Sequence, residues 1–436
     1  MDQLADLSGY KQIALAPILF IGHSGGAIPA WEYGWWHPDR CFGVIGLHAA
    51  PMTSAPIYKG TDKNAPKPNI DYVPVLDISG QFETQAEIER TLEWHWRWVR
   101  GGLLEMRGVN KFSYVSALIG TGYTHFGWDD KHARYVAMFI QKAAHYRIPA
   151  DLPATGQRPK LIDLPKTSGA LTDITLLDPP HVPAAPYNEF KGDPTLAFWH
   201  LDMELAKATE AFHSTGRAKK VQLVTFVDDD KPLPMVWKQD VKFKPLDDGV
   251  TVKVKGDFIQ ETPKALAYLN TPTLGHADGP IQFRLMGGGE QLGSDTFRIK
   301  WNRFMYTKGG GNISVMAFHP GNDRYQYTEQ ICGINFPGNN IKGTPQTITF
   351  NPIANQKLGA KPVPLSATCD TGKEVEFFVL RGPAEVRGNT LTLSPALPPN
   401  CKLPVQITVV AYQWGRSVEP LFQSAKPVEQ SFMVEP

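Results

Sequence analysis

Apolar and polar positions follow two rhythms along this chain. Up to about residue 150, short unbroken apolar runs alternate with longer mixed segments, the pattern of buried parallel strands joined by helices. Residues 17–21, 42–47, 73–80 and 112–119 are such runs. Helices are expected at 3–10, with Gly9 as the stop, at 27–36, closed by His37-Pro38-Asp39, at 85–106, and at 131–145, ended by Pro149. The stretch 51–69, rich in Pro, Lys and Thr, is expected as a loop. Trp94, Trp96 and Trp98 cannot all lie on one helical face, so at least one is expected to cover something other than the sheet.

From 151 to 186 the chain is proline-rich and is expected as an irregular linker or strap. Asp193-Pro194 is expected to open a helix through Trp199, Leu201 and Leu205 to Phe212, with Asp as N-cap and Pro at the first helical position. Beyond 216 the rhythm becomes strict alternation. Val250, Val252 and Val254 alternate with Thr251, Lys253 and Lys255 behind the turn Asp248-Gly249, which predicts a hairpin with Val241 and Phe243. Residues 221–227, 281–285, 297–301 and 313–318 continue that character, and an antiparallel β-sandwich follows as the expected fold. In a last all-β unit, Ile348 shares a face with Phe350, Val363 with Leu365 and Ala367, Leu391 with Leu393, and Val405 with Ile407 and Val409. The expected organisation is therefore 1–150 as a parallel α/β domain, 151–215 as linker and helix, and 216–343 and 344–436 as two all-β sandwich domains.

Composition narrows the function classes. A chain of 436 residues, 42% hydrophobic and 20% charged, is an ordinary globular protein too long for one core. With 44 Lys+Arg against 43 Asp+Glu, a net charge of +1 gives no electrostatic case for nucleic acid or an acidic membrane. No apolar run is long enough to span a bilayer, and none resembles a signal peptide. The cysteines, Cys41, Cys332, Cys369 and Cys401, form no zinc-type cluster; Cys369 and Cys401 pair if the protein is exported, or stay free and buried. No metal or cofactor is expected. Asp228-Asp229-Asp230 lacks the spaced oxygens of a calcium loop and is expected as a solvated turn.

Candidate chemistry sits where the apolar runs end. Pro17-Ile18-Leu19-Phe20-Ile21 leads into Gly22-His23-Ser24-Gly25-Gly26, a strand turning sharply into a helix with Ser24 at the apex. Gly22 and Gly26 are expected to allow the crossing of strand and helix, and the Gly25 N–H to face a developing oxyanion. Glu83 follows the run that ends at Gly80, and His125 lies in Gly122-Tyr123-Thr124-His125-Phe126-Gly127 after the last run. Ser24 as nucleophile, His125 as base and Glu83 as the acid that orients it would meet at one edge of a parallel sheet. Asp77 is a rival acid, but in mid-strand; Asp129 and Asp130 are read as the cap of the following helix. Trp301, Phe304, Tyr306, Tyr325 and Tyr327 form either a sugar-stacking platform or core.

On Gly22-His23-Ser24-Gly25-Gly26, Gly80-Gln81-Phe82-Glu83 and Gly122-Tyr123-Thr124-His125-Phe126-Gly127-Trp128, residues 1 to about 150 resemble the C-terminal half of an α/β-hydrolase. The resemblance implies esterase-type hydrolysis through an acyl-enzyme, without a cofactor. It also implies about four strands ahead of the nucleophile strand and a second oxyanion donor among them, so this chain is expected to be a truncated form whose complete version carries those strands and an export signal. Residues 344–436 resemble bacterial immunoglobulin-like modules through Gln346-Thr347-Ile348-Thr349-Phe350, Leu365-Ser366-Ala367-Thr368, Leu380-Arg381-Gly382-Pro383-Ala384 and Val405-Gln406-Ile407-Thr408-Val409. That resemblance implies a periplasmic or extracellular location. The expected substrate is an ester, small or borne on an extracellular polymer such as a polysaccharide. The alternative is a non-catalytic exported protein that binds carbohydrate or a surface through its β modules.

Overall fold

The computed structural model describes residues 1–8, 10–49, 72–83, 101–102, 114–154, 156–165, 167–173, 180–308, 310–395, 397 and 402–436. The expected loop at 51–69, the three tryptophans of the expected helix 85–106, and Cys401 lie outside these residues. The molecule is multidomain and mostly β, with several small sheets and few helices among the described residues.

The first sheet is parallel. Its strands β1 (Ile18–His23), β2 (Cys41–Leu47), β3 (Pro74–Phe82) and β4 (Tyr114–Thr124) lie side by side in chain order. Helix α1 (Asp2–Ser8) precedes β1, and α2 (Ala27–Trp36) joins β1 to β2. Helix α3 (Asp130–Arg147) follows β4, capped by the Asp129 carboxylate, which accepts from the N–H groups of Lys131 and His132. Because successive side chains of a strand point to opposite faces, each strand feeds two cores. Val44, Val75, Val115 and Ala117 pack with Ala27, Ala30, Trp31 and Trp35 of α2, whereas Ile45, Leu76, Ile78 and Leu118 pack with Tyr135, Val136, Phe139 and Ala143 of α3. Full burial of a side chain such as Leu76 contributes roughly 2–3 kcal/mol. β3 and β4 are buried along their whole length, while outer strand β1 leaves Ile21 48% exposed. β4 runs further than the expected 112–119, continuing to Thr124, so His125 follows the strand directly.

The segment beyond α3 packs on this sheet. β5 (Ala170–Thr172) pairs with β6 (Ala185–Pro186) and β7 (Phe198–His200), so the stretch expected as irregular strap carries short strands. The helix expected from Asp193 does not form as one piece. Asp193 caps a single 3₁₀ turn, Phe198-Trp199-His200 is taken by strand pairing, and α4 (Met203–Ser214) starts only at Asp202, whose carboxylate accepts from the N–H groups of Glu204 and Leu205. Trp199 and Leu205 join the α3 core, and the Ser116 hydroxyl donates to the Trp199 carbonyl.

The middle unit has its core between small sheets. One sheet orders Gln239–Val241, Thr328–Pro337, Gly310–His319 and Gln282–Gly287, the first pair parallel and the others antiparallel; another orders Thr251–Lys253, Thr296–Ile299 and Gly289–Gln291. The expected hairpin around Asp248-Gly249 reduces to a tight turn with one bridge, Pro245 to Val252, because the flanking strands pair with different sheets. Asp229 and Asp230 have left-handed backbone, φ 49° and 56°, in the turn between Val224–Asp228 and Lys231–Pro232, and Asp228 and Asp229 face Lys242 and Lys244. The five aromatics do not share an exposed face. Trp301 is 7% exposed and packs with Phe336 and Tyr412, Tyr327 stacks on Tyr123, and Phe304 stands 62% exposed.

In the C-terminal unit, strand Val405–Tyr412 lies between Glu376–Arg381 and Val428–Glu435. Its alternation again serves two cores: Ile407, Val409 and Ala411 face its own, whereas Val410 and Tyr412 join the core of the middle unit. Cys369 is a buried free thiol, with Sγ on Gln346 and Thr371. Among the described residues no helix is long and apolar enough to cross a membrane.

Candidate active site

Parallel strands deliver their carboxyl ends to one edge of a sheet. β1 ends at His23, β2 at Leu47, β3 at Phe82 and β4 at Thr124; the residues that follow are Ser24, His48, Glu83 and His125. The structure brings all of these together.

Ser24 opens a 3₁₀ turn, Ser24–Gly26, that runs into α2, and its backbone is left-handed at φ 54°. An L-residue held there carries about 1 kcal/mol or more of strain, which the surrounding structure must impose. Gly22 is the reason the crossing can be so close: a Cβ at Gly22 would run into the backbone of Gly26 and Ala27. The expectation that Gly26 serves the same purpose is overturned, since a Cβ there, as at Gly25, would meet open space. The Gly25 N–H, next after Ser24, lies within this turn.

A hydrogen-bond relay runs through the strand ends. The Ser24 hydroxyl lies 2.9 Å from His125 Nε2, and His125 Nδ1 lies 2.8 Å from Glu83 Oε2. The other Glu83 oxygen, Oε1, accepts from the Gly80 N–H and lies 2.5 Å from His48 Nδ1. His48 Nε2 is 2.8 Å from the Gly127 carbonyl oxygen, and His23 Nε2 is 2.9 Å from that of His125. His48 is 3% exposed, with left-handed backbone at φ 49°. Burial pushes its pKa down, but the charge of Glu83 and the hydrogen bonds to Glu83 and Gly127 outweigh it, and the net direction is upward. Asp77, the rival acid, is buried in β3 beside Ser79; burial first, then the charge of Glu83, push its pKa up to about 7. Asp129 is occupied as the α3 cap.

The loop that carries His125 is held from the far side by the middle unit. Glu329 Oε1 accepts from Thr124 N at 3.0 Å and Thr124 Oγ1 at 3.3 Å, while Glu329 Oε2 accepts from Arg284 at 2.8 Å and Tyr327 at 2.7 Å. Tyr123 stacks on Tyr327 with ring centroids 4.4 Å apart. Trp237, 43% exposed, places its ring 5.7 Å from that of His125 and 5.5 Å from Phe126, forming a wall beside the relay.

Sequence reasoning missed His48, His23, Trp237 and Glu329 as parts of this site. His48 had a usable signal, because it follows the apolar run 42–47 as Glu83 and His125 follow theirs. Trp237 and Glu329 had none, being distant in sequence and placed by tertiary packing alone. Among the described residues no group of His, Cys, Asp or Glu is arranged to hold a metal ion.

No family model matches the chain, and no curated protein matches it. Among solved structures, the extracellular cadherin domains 3–6 of Protocadherin Gamma B2 are similar at 10% identity over 50% of each chain, with a TM-score of 0.16. Drosophila N-cadherin EC1–4 is similar at 12% identity over 50% of this chain and 51% of that chain, again with a TM-score of 0.16. Mouse Protocadherin-24 EC1–3 reaches 13% identity over 45% of this chain and 67% of that one, at 0.16. The chain thus spans about half the length of the first two, and with TM-scores this low the likeness carries no argument about this protein.

Proposed function

We propose that this protein is a serine hydrolase of carboxylesterase type, built on an α/β-hydrolase-like sheet. The observation that carries the reading is the continuous relay Ser24–His125–Glu83, with distances of 2.9 and 2.8 Å, at the carboxyl edge of a parallel sheet and with Ser24 in left-handed backbone. Three separate strand ends supply a nucleophile, a base and an orienting acid within hydrogen-bond reach, which is the arrangement nucleophilic acyl transfer needs.

In this mechanism the Ser24 Oγ attacks the ester carbonyl carbon while its proton passes to His125 Nε2. The Nδ1–H of His125, donated to Glu83, fixes the tautomer and lets the carboxylate stabilise the imidazolium that forms. The tetrahedral oxyanion is met by the Gly25 N–H in the turn that leads into α2, close to the positive end of that helix. Collapse expels the alcohol, which takes the proton from His125 Nε2, and leaves an acyl-Ser24 ester. Water, deprotonated by the same nitrogen, then attacks and releases the acid. Trp237 offers a flat apolar wall for whichever group lies beside His125.

The β units favour an ester of an extracellular polymer as substrate, and the resemblance of 344–436 to immunoglobulin-like modules favours export. The reading is tested by hydrolysis of nitrophenyl esters of graded acyl length. The wild type is expected to turn over, with Ser24→Ala and His125→Gln reduced by at least about a thousandfold in kcat. Equal turnover by Ser24→Ala contradicts it.

A further inference from the structure

We infer that His48 is held as an imidazolium cation and is the positioning residue of Glu83, a buried charged clamp that fixes the carboxylate toward His125 and sets the pH at which the relay works. The inference deepens the serine-hydrolase reading and rests on it for its catalytic consequence.

With Glu83 ionised, the geometry fixes the proton count. His48 Nδ1 faces Glu83 Oε1 at 2.5 Å, and Nε2 faces the Gly127 carbonyl oxygen at 2.8 Å. A carboxylate and a carbonyl only accept, whereas a neutral imidazole has one N–H and one lone pair. Either neutral tautomer would set a lone pair against a lone pair in a buried site, where an unmade hydrogen bond is costly. The cation donates to both.

The surroundings bear on the same charge. Around His48, among the described residues, stand Asp77 of β3 and Glu83 just beyond it, His23 at the end of β1 with ring centroids 5.7 Å apart, and His125 beyond β4 at 6.2 Å. His132 on α3 lies at 6.5 Å, and Glu329 approaches from the middle unit. Burial opposes the cation and the carboxylates favour it; the net pKa direction is upward.

The clamp has two consequences. With Oε1 occupied by His48 and the Gly80 N–H, the carboxylate cannot rotate, and Oε2 stays on His125. The clamp also depends on pH: when His48 gives up its second proton one of its two hydrogen bonds is lost and the hold on Oε1 weakens, so the relay fails at alkaline pH.

The test compares wild type with His48→Gln, whose amide can still donate to Glu83 but carries no charge. Ring-nitrogen NMR, with the His48 signals assigned by their loss in the variant, should show both His48 nitrogens protonated at pH 7. Phosphonylation of Ser24 by a fluorophosphonate, followed against pH, should slow in the variant by about tenfold, because the hydrogen bond to Glu83 keeps its donor but loses its charge assistance. The alkaline limb that His48 deprotonation gives the wild type should vanish in the variant. A singly protonated His48 at pH 7 overturns the inference, as does a folded variant whose pH profile matches wild type. If the variant fails to fold, the His48 ring signals are assigned in the wild type by through-bond correlation to the His48 backbone, and the wild-type NMR result decides. A wild type that does not label while His48 carries both protons overturns the hydrolase reading and leaves the clamp standing.

Discussion

Asp77 shows how much a single buried acid at this site costs. It lies in β3, 5% exposed, and burial together with the nearby charge of Glu83 pushes its pKa from 3.8 up to about 7. A carboxyl whose folded pKa is raised binds its proton more tightly folded than unfolded, so stability falls as pH rises from 3.8 through about 7. Asp77→Asn keeps the shape and removes the ionisation. The variant is expected to match wild type in chemical denaturation near pH 3 and to exceed it at pH 8, by up to about 4 kcal/mol. His48 has the same sign: its raised pKa contributes stability that is full below about 6.5 and is lost as pH rises through the folded value. At this scale the sequence shows Ser24, Glu83 and His125, because each stands at the end of an apolar run. His48 obeys the same rule but is followed by Ala49-Ala50-Pro51, which carries no motif to draw attention to it.

At the scale of elements, the turn from β1 to α2 is the critical one. A Cβ at Gly22 meets the Gly26 and Ala27 backbone, whereas one at Gly26 meets nothing. Gly22→Ala is therefore expected to destabilise by about 1–3 kcal/mol and to abolish the left-handed placement of Ser24. Gly26→Ala, in right-handed backbone at φ −71°, is expected to be neutral or stabilising by up to about 1 kcal/mol. Thermal melting of the two variants distinguishes these outcomes, and equal effects would contradict the packing described. The strands and helices around this turn are legible because their apolar runs are unbroken. The start of α4 is not: Asp193 and Asp202 are both good caps, and only the pairing of Phe198-Trp199-His200 with β5 decides between them. The hairpin signal at Asp248-Gly249 misleads for the same reason, since strand partners far along the chain outbid the local turn.

Across the whole molecule, the relay does not belong to the parallel sheet alone. Glu329, whose side chain is 0% exposed, ties the His125 loop to Arg284 and Tyr327 of the middle unit, and Gly122 lets the Tyr327 backbone approach where any side chain would clash. Glu329→Ala leaves Arg284 without this partner and the Thr124 N–H unsatisfied. It is expected to cost about 3 kcal/mol in denaturant unfolding and to slow Ser24 phosphonylation, although Glu329 does not touch Ser24. An unchanged rate would place the middle unit outside the working site. None of this seam is visible in the sequence, because contacts between residues about two hundred positions apart leave no local periodicity. Strand alternation does reveal the all-β character of the later units, but not that Val410 and Tyr412 turn outward to share the middle unit's core.

The central claim is that Ser24 is an activated nucleophile. Its most direct test is to incubate the folded protein with a fluorophosphonate, read the mass of the intact chain, and map the modified peptide. The account predicts a single adduct on Ser24, absent from Ser24→Ala and strongly slowed in His125→Gln. A folded wild type that takes up no adduct, or takes it up elsewhere, would contradict it.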